Sequence, residues 1–121
     1  MTGWMRAVAT AGLLLGAAQT AFAWGAIAVD DESGQTARDV GYGYVTGANS
    51  EAAAERGAMA ECRKRNSKNC KVVLTFESCG AYAVDKSNWG TSEGVSENAS
   101  RRNAIAQCGK AACKVAVAVC N

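Results

Sequence analysis

Two seven-residue stretches of this chain, WGAIAVD from Trp24 and CGAYAVD from Cys79, agree at five positions. In a sequence of 121 residues, that repetition constrains the fold more than any other feature. The copy continues downstream. Ser50-Glu51 stands twelve residues before Cys62, and Ser96-Glu97 stands twelve residues before Cys108. Both pairs read as helix starts: the serine oxygen can accept from a free backbone N–H, and the glutamate sits at the positive end of the helix dipole. Within each expected helix, Ala58, Met59 and Cys62 match Ala104, Ile105 and Cys108, spacings that share one helical face. A polar loop, a second cysteine and an apolar run follow each helix, KVVLTF from Lys71 and KVAVAV from Lys114. Neither run alternates, so both read as central strands buried on two faces.

The repeated heptad reads as a strand, followed by a turn, DESGQ in the first copy and KSNWG in the second. A return strand is expected over RDVGYGYVT, with Tyr42 and Tyr44 on one face; its counterpart, about Thr91 to Val95, is short. Each unit is then strand, strand, helix, cysteine loop, strand. One unit cannot cover its own apolar strand on both sides, and two can share a core. The expected fold is a single compact α+β domain made from two strand-strand-helix-strand repeats, residues 24–78 and 79–121, related by a pseudo-twofold and stapled by disulfides.

Residues 1–23 stand apart from this plan. Arg6 is their only charge, Ala7 to Ala18 is apolar but for Thr10, and Ala21-Phe22-Ala23 is a small-x-small cleavage site. That is the pattern of a secretory signal peptide. The apolar run is too short to cross a bilayer, which takes about 20 residues. Cleavage would leave Trp24 first, with no transmembrane segment after it and a periplasmic or secreted location.

All six cysteines (Cys62, Cys70, Cys79, Cys108, Cys113 and Cys120) follow that site, and the chain has no histidine. An even count in a small exported domain reads as three disulfides. The spacings lack the tight C-x-x-C knuckles of a zinc site. Six cysteines allow 15 pairings. The repeat narrows them: equivalent units should carry the same local staple, Cys62–Cys70 and Cys108–Cys113. Cys79 and Cys120, whose repeat positions hold Trp24 and Glu77, are left to each other.

Gly25-Ala26-x-Ala28, the helix ending AMAEC, CKVV at Cys70, CGAYAV at Cys79, AIAQC at Cys108 and the closing CKVAVAVC together resemble domain-of-unknown-function family 4189, small exported bacterial proteins. The resemblance spans Trp24 to Cys120. It implies export and a cysteine-stabilised duplicated fold. It implies no agreed biochemical activity, so no functional residues carry over from it.

Without histidine there is no Ser-His or Cys-His dyad and no imidazole base, and oxidised cysteines are neither nucleophiles nor ligands. No catalytic residues, metal site or cofactor are expected. Asp30 and Asp85 are repeat-equivalent and could serve a histidine-independent carboxylate hydrolase only if they faced each other; the plainer reading ends two strands and caps two turns. DDE at Asp30–Glu32 lacks the alternation of a calcium loop, and GYGYV is not a phosphate loop.

Two surface signals remain. Arg63, Lys64, Arg65, Lys68 and Lys71 crowd the first cysteine loop although the net charge is only +2. They suit an acidic protein face or an anionic surface of phospholipid or glycan; as a bland alternative they are solvated cations complementing a helix C-terminus. Nucleic acid is not expected, because aromatic residues are not interleaved with the charges. Trp89, in the second turn, is either an exposed anchor or folded over the sheet. The functional expectation is an exported, non-enzymatic binding module of the bacterial envelope or secretome, of immunity, inhibitor or effector type. A carboxylate hydrolase and a purely structural envelope protein are the alternatives.

Overall fold

The computed structural model describes residues 23–31, 36–65 and 67–121. The expected signal peptide therefore lies, except for Ala23, outside the described residues. Among those described, eight elements follow in order: β1 (Trp24–Asp30), β2 (Gly41–Ala48), α1 (Glu51–Lys64), β3 (Lys71–Phe76), β4 (Cys79–Val84), β5 (Trp89–Gly94), α2 (Glu97–Cys108) and β6 (Lys114–Cys120). They form two antiparallel three-stranded sheets, ordered β2-β1-β3 and β5-β4-β6. The duplicated sequence has given a duplicated α+β topology.

The repeated heptads are the central strands, and their alternation explains the layers. Ala26 and Ala28 face outward and are fully buried under Ala54, Ala58 and Cys62 of α1. Ala81 and Ala83 do the same under Ala104 and Cys108 of α2. The intervening Ile27, Val29, Tyr82 and Val84 point inward and meet, with Phe76 and Val117, in one core between the sheets. The order of layers is helix, sheet, sheet, helix. Small residues at i, i+4 and i+8 let each helix lie close to its sheet. At Gly43 and Gly90, a side-chain carbon would stand within about 2.7 Å of helix backbone, from Ala58 O and Glu61 C in one unit and Ala104 O in the other.

Four sequence expectations change. KVVLTF and KVAVAV are edge strands; their apolar character reflects cover by a helix on one side and the facing sheet on the other. In both, one extra residue interrupts the ladder, Val73 against β1 and Ala116 against β4, so even the bulge is repeated. The first return strand starts at Gly41, because Thr36–Val40 forms a turn with Thr36 O accepting from Asp39 N–H and Val40 N–H at 3.0 Å each. The second return strand is not short: it spans Trp89–Gly94 in unbroken register with β4. Ile105 is 39% exposed, since Ser100, Ala104 and Cys108 form the buried stripe of α2.

Both helices start as their serines require, with Ser50 Oγ accepting from Ala53 N–H and Ser96 Oγ from Ala99 N–H, each at 3.1 Å. They end differently. Arg65 caps α1, whereas Gly109, at φ 80°, closes α2 in the left-handed conformation glycine adopts without strain. The disulfides are Cys62–Cys70, Cys79–Cys120 and Cys108–Cys113. The two local staples tie each helix to the strand after it. The third joins residues directly opposed in the β4–β6 ladder.

Candidate functional site

Helix α1 runs further than the loop reading supposed. Arg63 and Lys64 form its last turn, where cations complement the carbonyl end of the dipole, and Arg65 is its cap. This geometry sorts the five cations of the cysteine loop. Lys64 Nζ turns back to Glu61 at 3.1 Å. The Arg65 guanidinium lies 4.7 Å from the centroid of the Tyr42 ring, a cation–π contact that uses the tyrosine of β2. Lys71 Nζ stands 3.5 Å from Asp31, in an exposed pair worth little. Lys68 is exposed on the loop.

Arg63 points elsewhere. With Arg56, two helical turns earlier, it flanks a groove between α1 and β3 of about 590 Å³. Met59, Cys70 and Val72 give this groove an apolar floor, Lys71 stands at its strand side, and Glu55 contributes the one carboxylate. Two guanidiniums and an ammonium above an apolar floor can hold a carboxylate, phosphate or sulfate group attached to an apolar body. Guanidinium forks bind such groups in a bidentate fashion.

The structure thus brings Arg63 and Lys71 to one groove, where Lys71 is shared with Asp31, and sends Lys64 and Arg65 away from it to Glu61 and Tyr42. Arg56 and Met59 are the site residues that the loop-centred reading missed. The spacing 56, 59, 63 was a legible signal, since residues three, four and seven apart share a helix face.

Trp89 does not lie in a turn. It opens β5, is 53% exposed, and its ring leans on Tyr82 with centroids 6.4 Å apart. It lines a different recess from the groove, and Asp31 is the residue common to that recess and to the Lys71 pair.

The repeat-equivalent carboxylates have different local duties. Asp30 is buried, and its Oδ2 accepts from Asn69 N–H at 3.1 Å, bracing the cysteine loop. Asp85 caps its own turn, accepting from Lys86 N–H, while its N–H donates to Asn88 O at 2.8 Å. Among the described residues no group of three or more acidic or cysteine side chains is placed to hold a metal ion.

Fold and groove together define a class: small duplicated proteins in which two strand-strand-helix-strand units pack sheet to sheet, each with its own staple. The chain belongs to the DUF4189 family, described as a domain of unknown function, whose profile matches residues 24–120. The fold is also similar to the NMR structure of Rv1813c from Mycobacterium tuberculosis, with a TM-score of 0.54, 15% sequence identity, and coverage of 98% of this chain and 97% of that one. At that identity the likeness concerns the fold alone. No curated protein matches the chain.

Proposed function

We propose that this is an exported, non-enzymatic binding protein of the bacterial envelope or secretome, which holds an anionic group of a macromolecular partner in the groove between α1 and β3. The observation that carries the reading is the pairing of Arg56 and Arg63 over the apolar floor of Met59 and Val72, with neither arginine in an ion pair among the described residues. The scaffold favours such a role. The groove wall is a helix fixed at its last turn by Cys62–Cys70 and buried against β1, so little ordering cost falls on binding.

Export rests on the leader pattern and on three disulfides, which persist in oxidising compartments. No helix among the described residues is long and apolar enough to cross a membrane. The absence of histidine from the sequence is why the reading includes no catalytic step.

The test is salt-dependent retention of the disulfide-bonded protein on phosphatidylglycerol vesicles and on a sulfated glycan. At an ionic strength near 0.1 M, screening acts beyond about 10 Å, so exposed charge pairs weaken steeply with added salt. Arg56→Gln with Arg63→Gln should abolish retention, and Lys64→Gln or Arg65→Gln should leave most of it. No retention of the unsubstituted protein on either surface at low salt, or equal damage from all four substitutions, would refute the groove. N-terminal sequencing of periplasmic material should begin at Trp24.

A further inference from the structure

We propose that a second site, a small recess at the rim of the interface between the sheets, binds a primary alkylammonium group through Asp31, Asp85, Tyr82 and Trp89. It is separate from the groove, and two carboxylates, Asp31 and Asp85, line it together with one cation, Lys86. The recess has a volume of about 110 Å³, enough for the end of an aminoalkyl chain and too little for a large ring system. Asp31 follows β1 and Asp85 follows β4, so the ends of two equivalent strands bring a carboxylate each. Trp89 and Tyr82, tilted by 31°, form the aromatic side.

Tyr82 is the observation that asks for a ligand. It is 1% exposed and lines the recess, and among the described residues no protein group is hydrogen-bonded to its hydroxyl. A buried hydroxyl without a partner carries the full cost of its desolvation. Burial, and then the charge of Asp31, push its pKa up to about 12, so at neutral pH the phenol keeps its proton and its oxygen can still accept.

An ammonium has three donors. It can give them to Asp31, Asp85 and the Tyr82 oxygen while its charge lies near the indole face of Trp89, an arrangement that aromatic rings favour for cations. The protein already brings ammonium groups to this recess: Lys86 lines it, and Lys71 Nζ lies 3.5 Å from Asp31. Both partners of that pair are substantially exposed, so a ligand can displace it. Lys71 is therefore a competitor for the site. The same chemistry comes from a lysine side chain on a partner or from a free small amine.

The experiment titrates the disulfide-bonded protein with Nα-acetyl-lysine amide and, separately, with ethanolamine, following the indole N–H resonance of Trp89 assigned with Trp89→Phe. Saturable shifts with either amine, absent with the Nε-acetylated lysine amide, are expected. Stronger binding of the lysine amide identifies a side chain as the source, and stronger binding of ethanolamine a free amine. Asp31→Asn should weaken binding about tenfold, as loss of one charge-assisted hydrogen bond does. Tyr82→Phe should weaken it several-fold, and Lys71→Met should strengthen it. The last substitution separates the two sites, because it removes a cation from the anion groove and so weakens binding there. No saturation with either amine, equal binding of the acetylated amide, or indifference to Asp31→Asn would overturn the proposal.

Discussion

Phe76 of the first repeat lies against Gly80 of the second, so close that a methyl group on the glycine would come within 2.5 Å of the ring. The same ring covers Gly25, which faces Phe76 across the β1–β3 ladder. In the second unit the position facing Gly80 in its ladder is Val119. The equivalence of the two units is broken here for a packing reason: between the two glycines there is space for one large side chain. Phe76 fills it, fully buried, in the room left by two equivalent glycines.

Gly80→Val should therefore destabilise the protein by overpacking, by about 1–3 kcal/mol. Phe76→Leu in the same chain should recover part of that loss, because contacting residues are not additive. Urea unfolding of the two single variants and the double variant measures the coupling. Strict additivity would show that the ring and the glycine do not share the space.

The three staples should differ in worth. In the chain-entropy account the loops closed by Cys62–Cys70 and Cys108–Cys113 contribute roughly 2–2.5 kcal/mol each and the loop closed by Cys79–Cys120 about 4. Their sequence separations are 8, 5 and 41 residues. Replacing each pair by alanine and comparing denaturation midpoints tests the order. A larger loss from either local staple would mean that anchoring the helix end outweighs loop length.

Tyr82 should leave a signature in alkaline unfolding. Its pKa rises from an ordinary 10.0 to about 12, through burial first and the Asp31 charge second. Below the unfolded value both states hold the proton. Between about 10 and about 12 the unfolded chain releases it and the folded protein does not, so stability falls with rising pH across that window. The slope of unfolding free energy against pH should be shallower in Tyr82→Phe. Identical slopes would show that the phenol is not shielded.

Much of this architecture was legible because it is local or repeated. Serines twelve residues ahead of cysteines marked both helix starts, since a cap is a contact between near neighbours in sequence. The pairing of six cysteines followed from unit equivalence, because identical units place identical staples. The candidate site was half legible. Arg63 and Lys71 stood out as charge, but nothing in the run of basic residues distinguished them from Lys64 and Arg65, whose partners Glu61 and Tyr42 lie on α1 and on another strand.

The sequence by itself determined that there are two units and where their helices begin, narrowed the cysteine pairing through the repeat, and left the chain without histidine chemistry. Tertiary structure alone decided which strands are central. An apolar run records only that both its faces are covered, and in a helix-sheet-sheet-helix stack the edge strands β3 and β6 are covered too. It also decided that Asp31, Tyr82, Asp85 and Trp89 share one recess. Tyr82, Asp85 and Trp89 belong to the β4–β5 hairpin of the second repeat, but Asp31 follows β1 of the first, and it joins them through a contact across the two repeats that no spacing along the chain encodes.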